Sequence, residues 1–153
     1  MRQVSVTTAW LVNAFENSSE YSEYYLDMLT GDVKFFSPMD FPEHVEIMKR
    51  LDRQTDRFIR LPKLEKELSR KIKQEFTKTV DDTYLKGLLE NAMTADLKFR
   101  NALMEYRDAR MRWYAFQNEK YAEFLKEWFK KRGIELVEKP AADNAGCNKK
   151  PDQ

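Results

Sequence analysis

Between Arg110 and Gly133 the chain reads RMRWYAFQNEKYAEFLKEWFKKRG, an aromatic-rich run with no proline and no internal glycine. Trp113, Phe116 or Gln117, Tyr121, Phe124 and Trp128 recur at three- and four-residue spacings, while Arg112, Glu119, Glu123 and Lys126 fall mainly outside that register. The periodicity predicts one long helix whose apolar stripe has to be covered by other elements. Tyr114 and Phe129 widen the arc, so the helix is expected to pack on two neighbours and to bury both Trp113 and Trp128. A stripe of this kind is read as core rather than as a ligand platform. Lys130, Lys131 and Arg132 suit the negative end of the helix dipole, and Gly133 supplies a left-handed cap.

The segments before it carry other periods. VTTAWLVNAFENSS places Trp10, Leu11, Ala14 and Phe15 on one helical face behind the capping candidates Ser5, Thr7 and Thr8. EYYLDMLTGDVKFF puts two β-prone runs around Thr30-Gly31-Asp32, where Gly31 can take the positive φ of a hairpin loop. Pro42 suits the first turn of a helix through EHVEIMKRL, and RFIRLP reads as a third strand stopped at Pro62. From Leu64 onward the pattern is helical, with Asp81 or Asp82 and then Thr94 or Asp96 as candidate caps. The expectation is an α+β fold, predominantly helical, in which a β-hairpin or small three-stranded antiparallel sheet packs against about six helices. Residues 1–138 are expected to form one mixed domain, and 139–153, which lack an apolar period, a flexible tail.

Quoted in chain order, YYLDMLTGDV, DRFIRLP, FRNAL and RWYAFQNEKYAEFLKEWFKKRGI resemble the bacterial uncharacterised protein family 0158. The resemblance spans roughly residues 20–136. It supports the fold expectation and implies no particular activity.

Composition narrows the chemistry. The chain has 153 residues with 42% hydrophobic and 13% aromatic content, enough apolar surface to offset chain entropy in one domain. No apolar run approaches the length of a membrane span, so no membrane association is expected. One cysteine, Cys147, fits a reducing compartment, and the expected location is the cytoplasm. His44 is the single histidine, so two-histidine metal sites and histidine-based relays are unavailable. Four glycines contain neither a Walker loop nor GxGxxG. Asp27 and Asp32 flank the hairpin turn, where acids usually serve the turn itself. No catalytic residue, metal ligand or cofactor site is assigned, and the chain is not expected to be an enzyme.

Charge leaves candidate surfaces. Residues 1–46 hold 2 basic and 8 acidic side chains, and residues 47–138 hold 22 and 16. Arg100, Arg107, Arg110, Arg112 and Trp113 form the candidate interaction set, with Arg100 and Arg112 able to pair over an anion if their helices meet. The leading expectation is a non-enzymatic interaction or regulatory module with a protein partner. Nucleic-acid binding through the basic and aromatic helical face is the alternative, disfavoured by the interspersed glutamates.

Overall fold

Val4 and Val6 alternate with polar residues in RQVSV, and this period of two builds β1 (Arg2–Val6), with both valines buried. The computed structural model describes residues 1–140; the expected tail therefore contributes Lys139 and Pro140, and its remainder lies outside the described residues. In chain order there follow α1 (Thr8–Glu16), β2 (Glu23–Asp27), β3 (Val33–Phe36), α2 (His44–Asp52) and β4 (Phe58–Arg60). Then come α3 (Lys66–Thr77), α4 (Thr83–Glu90), α5 (Asp96–Ala102), α6 (Arg107–Lys130) and β5 (Ile134–Glu138). The fold is α+β and mostly helical, as its sequence predicts. Two compact units are formed: Met1–Lys63 with the chain from Ala122 on, and Leu64–Tyr121.

In the first unit β1 and β5 pair in parallel, Arg2 opposite Ile134 through Val6 opposite Glu138. Gly133 ends the preceding helix at φ +78° and turns the chain into β5, and its carbonyl accepts the Arg2 N–H at 3.0 Å. Thr7 occupies the N-cap position of α1, but its side chain makes no capping bond. Glu138 at the end of β5 serves instead, accepting the Thr8 N–H at 3.1 Å, so a carboxylate from the far end of the sequence caps the helix. The three-stranded sheet has the order β3-β2-β4, both pairs antiparallel. Tyr25, Phe36, Met48, Leu51 and Phe58 form one buried cluster that joins this sheet to α2.

The hairpin turn is built around Asp27. Its buried carboxylate receives Nε and Nη2 of Arg57 at 3.0 and 2.9 Å and the Leu29 N–H at 3.0 Å. The Arg57 guanidinium holds the Asp27 pKa down at about 2, helped by the Leu29 and Thr30 donors against the opposing effect of burial. Because the folded value lies below the ordinary 3.8, this stabilisation is complete at neutral pH and is lost as pH falls from about 4 toward 2. Asp27→Asn is expected to cost about 2 kcal/mol at pH 7, below the range for a fully buried pair because Arg57 is 40% exposed and can rehydrate. Urea melts at pH 7 and pH 3 check this: the gap between variant and parent should narrow at the lower pH.

In the second unit Lys73 is buried on α3, its Nζ bonded to Ser69 Oγ at 2.8 Å and to the Asp96 carboxylate on α5. Asp82 caps α4 by accepting the Leu85 N–H at 2.8 Å, which settles the choice between Asp81 and Asp82. The N-cap of α5 is Ala95, with Asp96 in the first turn. Trp113 lies between Phe76 and Phe99, ring centroids 5.2 and 4.7 Å away.

Along α6 the buried positions toward the C-terminus run in four-residue steps, Tyr121, Leu125 and Phe129, so Phe124 and Trp128 fall to the edge of the stripe. Trp113 is buried as expected, whereas Trp128 is only half-buried, its ring covered by the Arg132 guanidinium at 3.5 Å. The difference is one helical position, about 100° of rotation, which is enough to move a side chain from the centre of a stripe to its margin.

Candidate interaction surface

The helical unit carries the residues singled out by charge and aromatic spacing. α3 ends at Thr77, whose hydroxyl donates to the Lys73 carbonyl at 2.7 Å, and Val80 then buries itself ahead of the Asp82 cap. On the other side Arg110 anchors the start of α6: its N–H donates to the Tyr106 carbonyl at 2.8 Å and its Nη1 to the Met104 carbonyl at 2.7 Å. Between these two corners lies a cleft of about 280 Å³, lined by Val80, Asp81, Asp82, Leu85, Tyr106, Arg107, Asp108, Ala109 and Arg112.

The five expected residues separate here. Arg107 and Arg112 meet in the cleft; both are exposed, and neither takes part in an ion pair among the described residues. Arg112 also lies over Phe76, with Cζ 6.0 Å from the ring centroid. Arg110 is committed to the backbone bond with Met104. Trp113 is 3% exposed and packs in the core against Phe76 and Phe99, so it does not line the cleft. Arg100 is exposed on α5 and does not line the cleft. Burial raises the Tyr106 pKa, with Asp82 adding to the effect, so its phenol stays protonated and able to donate at neutral pH. The floor is apolar, from Val80, Leu85 and Ala109, and the rim is charged with both signs. α4 and α6 also expose Tyr84, Leu88, Met111 and Tyr114, apolar side chains on the same two helices that border the cleft.

Two polar groupings in the first unit escaped the sequence reading. Asp52 accepts two bonds from Arg60, at 3.1 and 2.7 Å, and one from the Tyr25 hydroxyl at 2.8 Å, while Glu23 pairs with Lys63 at 2.8 Å. Burial and the bond to Asp52 drive the Tyr25 pKa up, and Arg60 draws that of Asp52 down. Every strong shift here has an internal partner, the pattern of a structural network. His44, the single histidine, uses Nδ1 to accept the Ser37 N–H at 2.9 Å and sits against the Phe36 and Phe41 rings. No group of three or more potential metal ligands occurs among the described residues. Nor is any helix among them long and apolar enough to cross a membrane.

The family model for the uncharacterised protein family UPF0158 matches residues 1–147. The chain belongs to that family. The match takes in β1 and β5 as well as the hairpin and α6, so it covers both units. A UPF0158 protein of Pseudomonas aeruginosa is 26% identical over 125 residues, which is 80% of this chain and 80% of the relative. No solved structure matches the chain.

Proposed function

We propose that this UPF0158 member is a non-enzymatic interaction module that acts as one domain and docks a protein partner on the α4–α6 side of its helical unit. The observation that carries the reading is the pair Arg107 and Arg112, unpaired on the rim of an apolar-floored cleft whose bordering helices expose Tyr84, Leu88, Met111 and Tyr114. Arginine beside aromatic and methionine side chains is the composition in which protein interfaces are enriched. The arginine forks are pre-organised for partner carboxylates, and the carboxylates of Asp81 and Asp108 are available to partner cations. A single cysteine in 153 residues supports a cytoplasmic setting for this role.

Nucleic-acid binding is the second reading, favoured by Arg107, Arg110 and Arg112 within six residues of chain. Asp81, Asp82 and Asp108 in the same cleft oppose it, since a phosphate backbone entering there meets three carboxylates. Fluorescence anisotropy with labelled duplex and single-stranded oligonucleotides, titrated at several salt concentrations, separates the readings. The expected result is no binding tighter than about 10 μM at physiological ionic strength, within the weak non-specific range. Submicromolar binding that falls steeply with salt and vanishes in Arg107→Ala/Arg112→Ala would transfer the assignment to nucleic acid.

A further inference from the structure

The hydrogen-bond register of the three-stranded sheet shows which backbone groups of its β3 edge point away from β2. Tyr24 accepts from the Leu61 N–H and Met28 donates to the Arg57 carbonyl, so the even residues of β2 and its extension face β4. Asp27 donates to the Asp32 carbonyl, so the odd residues face β3. In an antiparallel ladder the bonded pairs alternate; Lys34 and Phe36 therefore bond back to β2, and the N–H and C=O of Val33 and Phe35 point outward. Neither residue has another backbone partner among the described residues. The next outward donor, the Ser37 N–H, is already taken by His44 Nδ1 at 2.9 Å. Imidazole and hairpin turn thus bound an open edge two residues long.

Side chains along this edge define what fits it. Lys34 lies opposite Tyr25, half-buried and without an ion pair among the described residues. On the other face Phe35 is 50% exposed and shares a ring contact with Tyr24, centroids 5.0 Å apart. We propose that the β3 edge docks an extended segment of a protein partner, with an acidic residue set beside Lys34 and apolar residues on either side of it. Strand addition supplies backbone bonds to Val33 and Phe35, the acid pairs with Lys34, and the apolar neighbours lie along Val33 and Phe35. A second copy of this chain is the poorer occupant. The two-fold pairing that uses both open residues of each copy puts Lys34 directly against its own counterpart, the arrangement by which edge lysines discourage self-association.

The proposal rests on the reading of the protein as an interaction module but uses a separate surface, so the two can fail independently. The probes are fluorescein-labelled peptides in which valine and threonine alternate around one central residue, Glu or Lys, titrated against the full chain. The Glu peptide is expected to bind about tenfold more tightly than the Lys peptide, with the preference reversed in Lys34→Glu. Phe35→Pro, which removes an outward donor and the exposed ring while leaving the β2–β3 bonds of Lys34 and Phe36 in place, should abolish binding of both. No preference between the peptides, or binding unchanged in both Lys34→Glu and Phe35→Pro, would overturn the assignment. So would a concentration-dependent dimer in sedimentation velocity that is lost in Phe35→Pro, which would give the edge to a second copy. The α6 surface is read out by crosslinking at Met111, so a failure confined to these peptides removes the β3 site and leaves the module intact.

Discussion

Gly31→Ala is expected to be the most damaging small substitution in the chain, costing about 3–5 kcal/mol. Two separate penalties meet at this position. The first is conformational: Gly31 sits at φ +81°, and an L-residue placed in the left-handed region loses about 1–2 kcal/mol. The second is steric, since a Cβ there would stand 2.1 Å from the Ser5 carbonyl oxygen, a backbone atom held in β1 by its pairing with β5. Either the turn or β1 has to move. Movement of the turn strains the bond from Lys139 Nζ to the Thr30 carbonyl, 2.8 Å, and the Asp27 carboxylate cage beneath it. Gly133→Ala is the internal control. It has a similar φ of +78° with nothing within 4 Å of the added methyl, so it should lose only the conformational part, about 1–2 kcal/mol. Urea melts of the two variants measure the difference, and equal losses would mean that the close approach to Ser5 relaxes at no cost.

Trp113→Ala should lose about 3–5 kcal/mol, the range for deleting a large buried aromatic. The ring is 3% exposed and touches two other aromatic rings, so truncation leaves a cavity walled by Phe76 and Phe99. Trp128 supplies the contrast: half-buried and capped by Arg132, it should cost about 1–2 kcal/mol on truncation because water and the arginine stem can fill part of the space. Chemical denaturation that ranked Trp128 above Trp113 would show that the centre of the α6 stripe had been misplaced.

Local chemistry made much of this legible in the sequence. The hairpin follows from a glycine at a fixed place between two β-prone runs, and the same glycine adopts the positive φ that the turn requires. Asp82 and Gly133 mark boundaries because caps and turns are settled by a few neighbouring residues, whereas Pro42 falls in the turn two residues ahead of α2 rather than in its first turn. Nothing in the local sequence announces the parallel pairing of β1 with β5. Each strand is five residues long, and the partners stand 132 positions apart, with no turn between them to announce the register. The Glu138 cap on α1 was hidden for the same reason, and a search confined to the residues preceding the helix returns Thr7, which makes no side-chain capping bond.

The candidate surface was partly legible. Charge and spacing selected Arg107 and Arg112, which do share a cleft, but they also selected Arg110, whose guanidinium is spent on the Met104 carbonyl, and Trp113, which is core. Spacing along a helix cannot separate a residue on the rim from one under it when the apolar arc is wide. The open β3 edge left no sequence signal beyond Lys34 itself. It depends on which backbone groups are already bonded, and that follows from the β2–β4 register and from His44 reaching Ser37.

Site-specific photocrosslinking in the native cells tests the central claim most directly. A benzophenone side chain at Met111, on the exposed face of α6, is compared with one at Lys71 on α3, both in the full chain. The interaction reading predicts one discrete protein adduct at Met111, absent at Lys71 and lost when Arg107→Glu and Arg112→Glu are added. Equal labelling at both positions, an adduct indifferent to the two arginines, or a nuclease-sensitive adduct would contradict it.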